Sequence, residues 1–235
     1  MYVMNDKSDE LAVVLVSGGM DSLVCSAIAH RKHKRLALLH LNYGQKTEDK
    51  ELDCFEKIAK HYNVEQTKVI DVSFLKQIGG SSLTDQSIEV KQYKGESEEI
   101  PDSYVPFRNT HLVSMAVSWA EVIGATKIYI GAVAEDSSGY PDCRPSYYKA
   151  LNALIKEGTK DGNIEVITPL IHFKKEEIVL KAIELKAPLE NSWSCYGSSE
   201  KACGVCDSCA LRLRGFQKAG VEDPIEYDQR PNYNY

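Results

Sequence analysis

Apolar and polar residues along the first half of the chain alternate in blocks that predict strands and helices in turn. Residues 11–16 form a continuous apolar run that ends at two glycines, which is typical of a strand buried in a parallel sheet. Apolar residues at helical spacing follow, and the basic run 31–35 closes this helix. The pattern then predicts a strand over 36–41, a helix over 48–62 and a strand over 64–72.

A polar stretch over residues 79–103 interrupts this rhythm and predicts a long loop, of the kind that is usually functional or mobile. Regular structure is predicted again as helices over 110–123, 147–157, 174–185 and 210–218, with strands over 127–133 and 164–167. The repeated order of strand, helix and strand predicts an α/β fold with a Rossmann-like, doubly wound parallel sheet. We expect a nucleotide-binding domain over 1–187 and a small metal-binding segment over 188–235 packed on it.

The composition is that of an ordinary globular protein. Of 235 residues, 43% are hydrophobic and 26% charged, which argues against intrinsic disorder and coiled coils. The formal net charge of −6 argues against binding to long nucleic acid but not against one bound nucleotide. No long apolar run and no signal-peptide pattern occurs, so we expect no membrane association and a cytoplasmic location.

The sequence SGGMDS over residues 17–22 joins the first strand to the first helix. Backbone N–H groups and a helix N-terminus point outward together at such a junction, so the pattern predicts a phosphate site. It matches neither the Walker pattern nor the dinucleotide fingerprint. The alternatives are a simple Gly-Gly connection and, for Asp21, a carboxylate that only favours the helix dipole.

Four cysteines near the C-terminus have metal-ligand spacing. Cys195, Cys203, Cys206 and Cys209 follow the pattern C-x7-C-x2-C-x2-C, which fits one tetrahedral, structural Zn²⁺. An iron–sulfur cluster is the alternative, although the ferredoxin continuation C-x3-C-P is missing.

The other three cysteines have no such spacing. Cys25 and Cys54 lie in predicted helices and are interpreted as buried small hydrophobic residues. Cys143 lies in a polar loop.

Three segments after the later strands carry candidate substrate residues, because ligands of open parallel sheets bind beyond the carboxyl ends of the strands. In the first, Asn109 is expected to cap a helix and Arg108 to face an anion. The second is the loop 135–145, and the third contains Lys175, whose charge at a helix start suggests a phosphate partner. For each segment the alternative is an ordinary surface loop.

Taken together, these motifs resemble the 7-cyano-7-deazaguanine synthases of the ATP pyrophosphatase superfamily. The resemblance covers residues 11–227 and rests on LVSGGMDS, LNYGQK, YVPFRNT, EDSSGYPDCRP, TPLIHFKK, WSCY and CGVCDSC. Phe107 and Ser146 depart from it, because a small residue and a carboxylate are common at these positions.

The resemblance implies an ATP-dependent ligase, a homodimer, that makes the nitrile from 7-carboxy-7-deazaguanine and ammonia for queuosine. It implies that ATP, with Mg²⁺, activates the carboxylate and then the amide at the α-phosphate. Free ammonia is expected because 235 residues leave no room for a glutaminase domain. The implied nucleotide-binding residues are Leu15, Val16, Ser17, Gly18, Gly19, Met20, Asp21, Ser22, Leu23 and Lys175. The implied substrate residues are Arg108, Asn109, Asp136, Tyr140, Asp142 and Arg144, of which Arg108 and Asp136, with Asp21 and Lys175, are the predicted catalytic group.

Two alternatives keep the fold and change the substrate. One is a related enzyme that joins the activated deazaguanine to another amine, for example on a protein, and the other is a tRNA-modifying enzyme of the same superfamily. A third alternative, a zinc-ribbon adaptor for nucleic acid, needs a basic face around the cysteines, and the tail after Cys209 carries acidic residues as often as basic ones.

Overall fold

The computed structural model describes residues 7–85, 87–95, 100–134 and 139–234. Its strands are β1 (Ser8–Leu15), β2 (His33–Asn42), β3 (Thr67–Asp71), β4 (Lys127–Tyr129) and β5 (Glu165–Ile167). Its α-helices are α1 (Met20–Lys32), α2 (Glu48–His61), α3 (Arg108–Ile123), α4 (Pro145–Gly158), α5 (Lys175–Glu184) and α6 (Asp207–Ala219). Short 3₁₀ turns occupy Ser73–Gln77, Pro141–Cys143 and Leu189–Asn191.

The five strands form one parallel sheet in the order β3-β2-β1-β4-β5. Residues Leu11–Leu15 of β1 are all buried because helices cover both faces of the sheet. Val13 and its alternate neighbours pack in a core that contains side chains of α3 and α4. Val14 and its alternate neighbours pack in a second core with side chains of α1, α2 and α5. The predicted doubly wound α/β fold is therefore confirmed.

The element boundaries differ from prediction in several places. The first helix ends at Lys32, and β2 begins at His33 rather than at residue 36. The His33 ring explains the early start, because its Nε2 lies 2.9 Å from the Tyr129 hydroxyl and its Nδ1 lies 3.3 Å from the Glu10 carbonyl. Strand β4 has only three residues instead of seven, and Gly131, just beyond it, packs against the main chain of Asp21 in the first helix.

The predicted long loop is confirmed for the described part of residues 79–103. No helix and no strand longer than a single bridge, at Gln92, occurs in that part. None of the helices in the described ranges combines the length and apolar character that a membrane crossing requires.

The C-terminal segment packs on the sheet domain through α6, which runs against α5. A Cβ at Gly215 would lie 2.8 Å from the Cβ of Lys175, so the missing side chain lets the two helices approach closely. Arg212 of α6 is buried in a bidentate ion pair with Asp223, at 2.7 and 2.9 Å, and its Nη1 donates to the Ser192 hydroxyl at 2.9 Å. This network ties α6 to the segments before and after it, while the domain boundary at residues 187 and 188 stays a prediction.

Candidate active site

The sheet has a topological switch point between β1 and β4, from which the connections lead in opposite directions. Such a point leaves a crevice at the carboxyl ends of the strands. The structure has a cleft of about 270 Å³ here. Residues 15–22, with the exception of Gly18, line this cleft together with residues from α2, α3 and the C-terminal segment.

The SGGMDS loop forms the floor of the cleft. The helix α1 begins at Met20 directly after Gly19, which has no side chain to cap the helix, so the first N–H groups are available to an anion. The two serine hydroxyls of the loop are hydrogen-bonded to each other, with Ser17 Oγ donating to Ser22 Oγ at 3.2 Å. Ser22 Oγ donates in turn to the Gly19 carbonyl at 2.9 Å. The local geometry is that of a phosphate site.

Two glycines allow neighbouring main-chain segments to pack closely against this loop. Gly18 has φ of +85°, and a Cβ there would lie 2.5 Å from the carbonyl oxygen of Glu51. A Cβ at Gly131, just after β4, would lie 2.7 Å from the carbonyl carbon and oxygen of Asp21. A side chain at either position would therefore displace the loop.

Lys175 and Asp21 form an ion pair in the cleft. Lys175 Nζ lies 2.6 Å from Asp21 Oδ2, and both side chains are largely buried. Asp21 Oδ1 is buried and has no hydrogen-bond partner in the described part of the chain. An orphaned carboxylate oxygen beside a phosphate site fits a Mg²⁺ ligand, since this ion prefers carboxylate and phosphate oxygens.

Arg108, the first residue of α3, lines the same cleft as the phosphate loop. Its Nη1 donates to the Tyr43 hydroxyl at 3.1 Å, and its guanidinium carbon lies 5.2 Å from the centre of the Tyr43 ring. No carboxylate lies within 4 Å of this guanidinium among the described residues. Arg108 thus keeps donors for a planar anion such as a carboxylate.

The prediction that Asn109 caps α3 is wrong. Asn109 lies inside the helix, and the preceding Phe107 has left-handed backbone geometry, with φ of 59°. The cap comes from Asp142, whose Oδ2 accepts a hydrogen bond from the Asn109 N–H at 3.0 Å. The Asn109 side chain in turn donates to the Asp142 carbonyl at 3.0 Å. The two residues join the turn Pro141–Cys143 to α3.

The structure brings most of the predicted site residues to the cleft. Those that line it are Leu15, Val16, Ser17, Gly19, Met20, Asp21, Ser22, Arg108, Asn109, Tyr140 and Lys175. Gly18, within the loop, and Leu23, just after it, are buried and do not line the cleft. Asp142 is hydrogen-bonded to α3, and Arg144 is exposed at the start of α4. Asp136 lies outside the described residues.

The cleft is also lined by polar residues that the sequence patterns did not single out, among them Tyr43, Glu51, Tyr196 and Asp207. Tyr43 belongs to the LNYGQK motif and Tyr196 to WSCY, so a signal was present for both. Glu51 lies in the first turn of an amphipathic helix, where a glutamate is ordinarily a solvated residue. Only the packing of α2 against the phosphate loop reveals its position.

The sulfur atoms of Cys195, Cys203, Cys206 and Cys209 lie within 4.8 Å of one another. The Cys203 and Cys209 sulfurs are 3.9 Å apart, close to the separation of about 3.8 Å that Zn–S bonds of 2.3 Å give in a tetrahedron. Main-chain N–H groups of Cys203 and Gly197 donate to the Cys195 sulfur at 3.4 Å. The cluster suggests a metal site, as predicted.

The remaining cysteines are buried. Cys25 and Cys54 lie in α1 and α2, as predicted for small hydrophobic residues. Cys143 lies in the short turn before α4, is also buried, and lines the cleft. Burial raises the pKa of its thiol to about 11, so Cys143 is not a thiolate at neutral pH.

The strand order and the cysteine cluster define the class of protein. It is an α/β protein with a five-stranded parallel sheet and a C-terminal segment that carries four clustered cysteines. The family model described as "Queuosine biosynthesis protein QueC" matches residues 11–220, and the chain belongs to this family.

Its relatives share most of their length with this chain. The 7-cyano-7-deazaguanine synthase of Chlorobaculum tepidum is 58% identical over 94% of this chain and 98% of that protein. The enzyme of the same name from Chloroherpeton thalassium is 60% identical over 94% of this chain and 99% of that protein. Among solved structures, NMN synthetase from Francisella tularensis is 13% identical with a TM-score of 0.47, covering 94% of this chain and 81% of that chain.

The close contact at Gly131 gives a first testable prediction. Gly131→Ala is expected to lower the free energy of unfolding by about 1–3 kcal/mol, because its Cβ would collide with the Asp21 main chain. The matched control is Gly158→Ala at the end of α4, where nothing lies within 4 Å of the added carbon. Urea unfolding measures both variants, and a wild-type midpoint for Gly131→Ala would contradict the packing described here.

Proposed function

We propose that the chain is an ATP-dependent carbon–nitrogen ligase that converts 7-carboxy-7-deazaguanine and ammonia into 7-cyano-7-deazaguanine. Membership in the QueC family supports this reaction. The structural observation that carries it is one cleft lined both by the SGGMDS loop and by the Arg108 guanidinium, which keeps donors for an anion.

The phosphate loop suits the nucleotide half of the reaction. The uncapped N-terminus of α1 offers N–H groups to phosphate oxygens, and Lys175 adds a positive charge beside Asp21. Asp21 would hold Mg²⁺ through its orphaned oxygen. When bound, Mg²⁺ neutralises charge on the departing pyrophosphate. With the β- and γ-phosphates held by these residues, the α-phosphate would remain open to attack by a substrate oxygen.

The residues around Arg108 suit binding of the deazaguanine. Arg108 would pair with the substrate carboxylate and direct it toward the α-phosphate. Tyr140 lines the cleft beside it, with its hydroxyl 2.8 Å from Ser103 Oγ. Asn109 and Asp142 would act by fixing the start of α3, and with it Arg108, through their mutual hydrogen bonds. We propose Arg144 and Asp136 as further substrate contacts from the same loop.

The reaction then runs through two activations. The carboxylate attacks the α-phosphate of ATP and pyrophosphate leaves. Ammonia displaces the activated oxygen and gives the amide. A second ATP activates the amide oxygen in the same way, and loss of the nucleotide and of the nitrogen protons leaves the nitrile.

The alternatives have less support. Transfer of the activated deazaguanine to another amine would give a different product, which mass spectrometry distinguishes from the nitrile. A zinc-ribbon adaptor for nucleic acid would need exposed basic residues around the cysteines. Arg212 does not serve this purpose, because it is fully buried against Asp223 and offers no surface charge.

The first prediction from this proposal concerns Asp21. Asp21→Asn is expected to lower nitrile formation by about 100-fold or more, because it removes charge from the Mg²⁺ site, while one zinc per chain remains bound. The assay supplies 7-carboxy-7-deazaguanine, ammonia, ATP and Mg²⁺, and mass spectrometry detects the product. The control is Asp53→Asn, whose carboxylate pairs with Lys57 on the surface. ATP turnover by the wild type without nitrile would contradict the proposal.

We further propose that the four cysteines hold one structural Zn²⁺. Four sulfurs around a single point complete a tetrahedron and leave no position for water. In a four-iron cluster each thiolate binds a different iron, which sets the sulfur atoms farther apart than around one ion. The sulfur separation of 3.9 Å thus favours zinc.

Metal analysis of the purified chain tests this assignment. We expect one zinc per chain, no visible colour, and loss of the zinc in Cys206→Ser. Cys25→Ala, in the core of α1, is the control and should keep the metal. Iron with visible absorption would overturn the assignment.

Finally, we propose that the chain acts as a homodimer in the cytoplasm. Four metal-binding thiolates suit a reducing compartment. The exposed apolar side chains Val122 of α3 and Leu154 of α4 suit an interface between two copies. Light scattering of the zinc-loaded chain should give twice the chain mass, and a single-chain mass would contradict the dimer.

A further inference from the structure

Glu51 is held in the cleft in one orientation. Thr47 Oγ1 donates to Glu51 Oε1 at 2.8 Å, and Gln45 Nε2 donates to Oε2 at 3.1 Å. Gln45 is itself fixed, because its Oε1 accepts a hydrogen bond from the Tyr43 N–H at 2.9 Å. Each carboxylate oxygen therefore has one protein donor and keeps a lone pair for a ligand.

Glu51 is near both the phosphate loop and Arg108. Its main-chain oxygen packs against Gly18 of the phosphate loop. Its side chain is close enough to Arg108 for that charge to favour the ionised carboxylate. A carboxylate activated at the phosphate loop and paired with Arg108 would therefore react in the cleft that Glu51 also lines.

The environment of Glu51 suits proton transfer. Burial raises its pKa to about 7, and the charge of Glu48 on the same helix adds to the rise, while Thr47, Gln45 and Arg108 oppose it. Burial also raises the pKa of Tyr43 to about 12, so this neighbour stays protonated at neutral pH. A group with a pKa near the working pH is the most efficient general base.

The proposed reaction requires such a group. When ammonia attacks the activated carboxylate, a C–N bond forms, the C–O bond to the phosphate breaks and AMP leaves. The nitrogen then has four bonds and a positive charge, and it must lose one proton to give the neutral amide.

We propose that Glu51 is the general base that accepts this proton from the attacking nitrogen. Its carboxylate becomes a carboxylic acid as the N–H bond breaks, and it returns the proton to solvent before the next cycle. This inference rests on the proposed function, and it assigns to α2 a catalytic residue for the amination step.

Glu51→Gln tests the proposal, with Glu56→Gln on the exposed face of the same helix as control. We expect Glu51→Gln to form nitrile at least about 100-fold more slowly at pH 7. Pyrophosphate release from ATP and the carboxylate in the absence of ammonia should stay within about twofold of wild type. At a constant concentration of unprotonated ammonia, the wild-type rate should rise with pH and level off above about 7, and Glu51→Gln should lose this rise.

Two outcomes would overturn the role of Glu51. One is nitrile formation by Glu51→Gln within about threefold of wild type. The other is a parallel loss of pyrophosphate release in the folded variant, checked by its thermal midpoint, since that would mean a structural role. Failure of the proposed function itself is distinct, because the wild type would then form no nitrile at all.

Discussion

The site depends on the close packing of main chain against both sides of the phosphate loop. Gly18 admits the carbonyl of Glu51 on one side, and Gly131 admits the main chain of Asp21 on the other. The loop is held between α2 and the end of β4, which fixes the first turn of α1 toward the cleft. Preorganised N–H groups of this kind stabilise charge without reorganising during the reaction.

The C-terminal segment extends this constraint. Gly215 of α6 touches Lys175, which pairs with Asp21, and the Trp193 N–H donates to the Gly18 carbonyl at 2.9 Å. The cysteine cluster lies at the start of α6 and sets the position of that helix. The cysteine cluster is therefore connected to the phosphate loop through packing, and its four cysteines do not line the cleft.

The sequence was sufficient for features that depend on local patterns. The apolar run of β1 and the cysteine spacing each predicted what the structure contains. Predictions from the sequence were wrong where contacts between distant residues set the structure. His33 belongs to β2 because its ring contacts Tyr129, and Asp142 caps α3 in place of Asn109. Glu51 was missed for the same reason, because its helical spacing resembles a solvated position and only the tertiary packing turns it into the cleft.

We propose that both substrate oxygens attack the α-phosphate of ATP and leave with the nucleotide, with the phosphate loop holding ATP and Arg108 orienting the carboxylate. Mass spectrometry can follow ¹⁸O from doubly labelled 7-carboxy-7-deazaguanine into the products. We expect one ¹⁸O in each of two AMP molecules per nitrile formed. Label in inorganic phosphate, with ADP as the nucleotide product, would rule out this route.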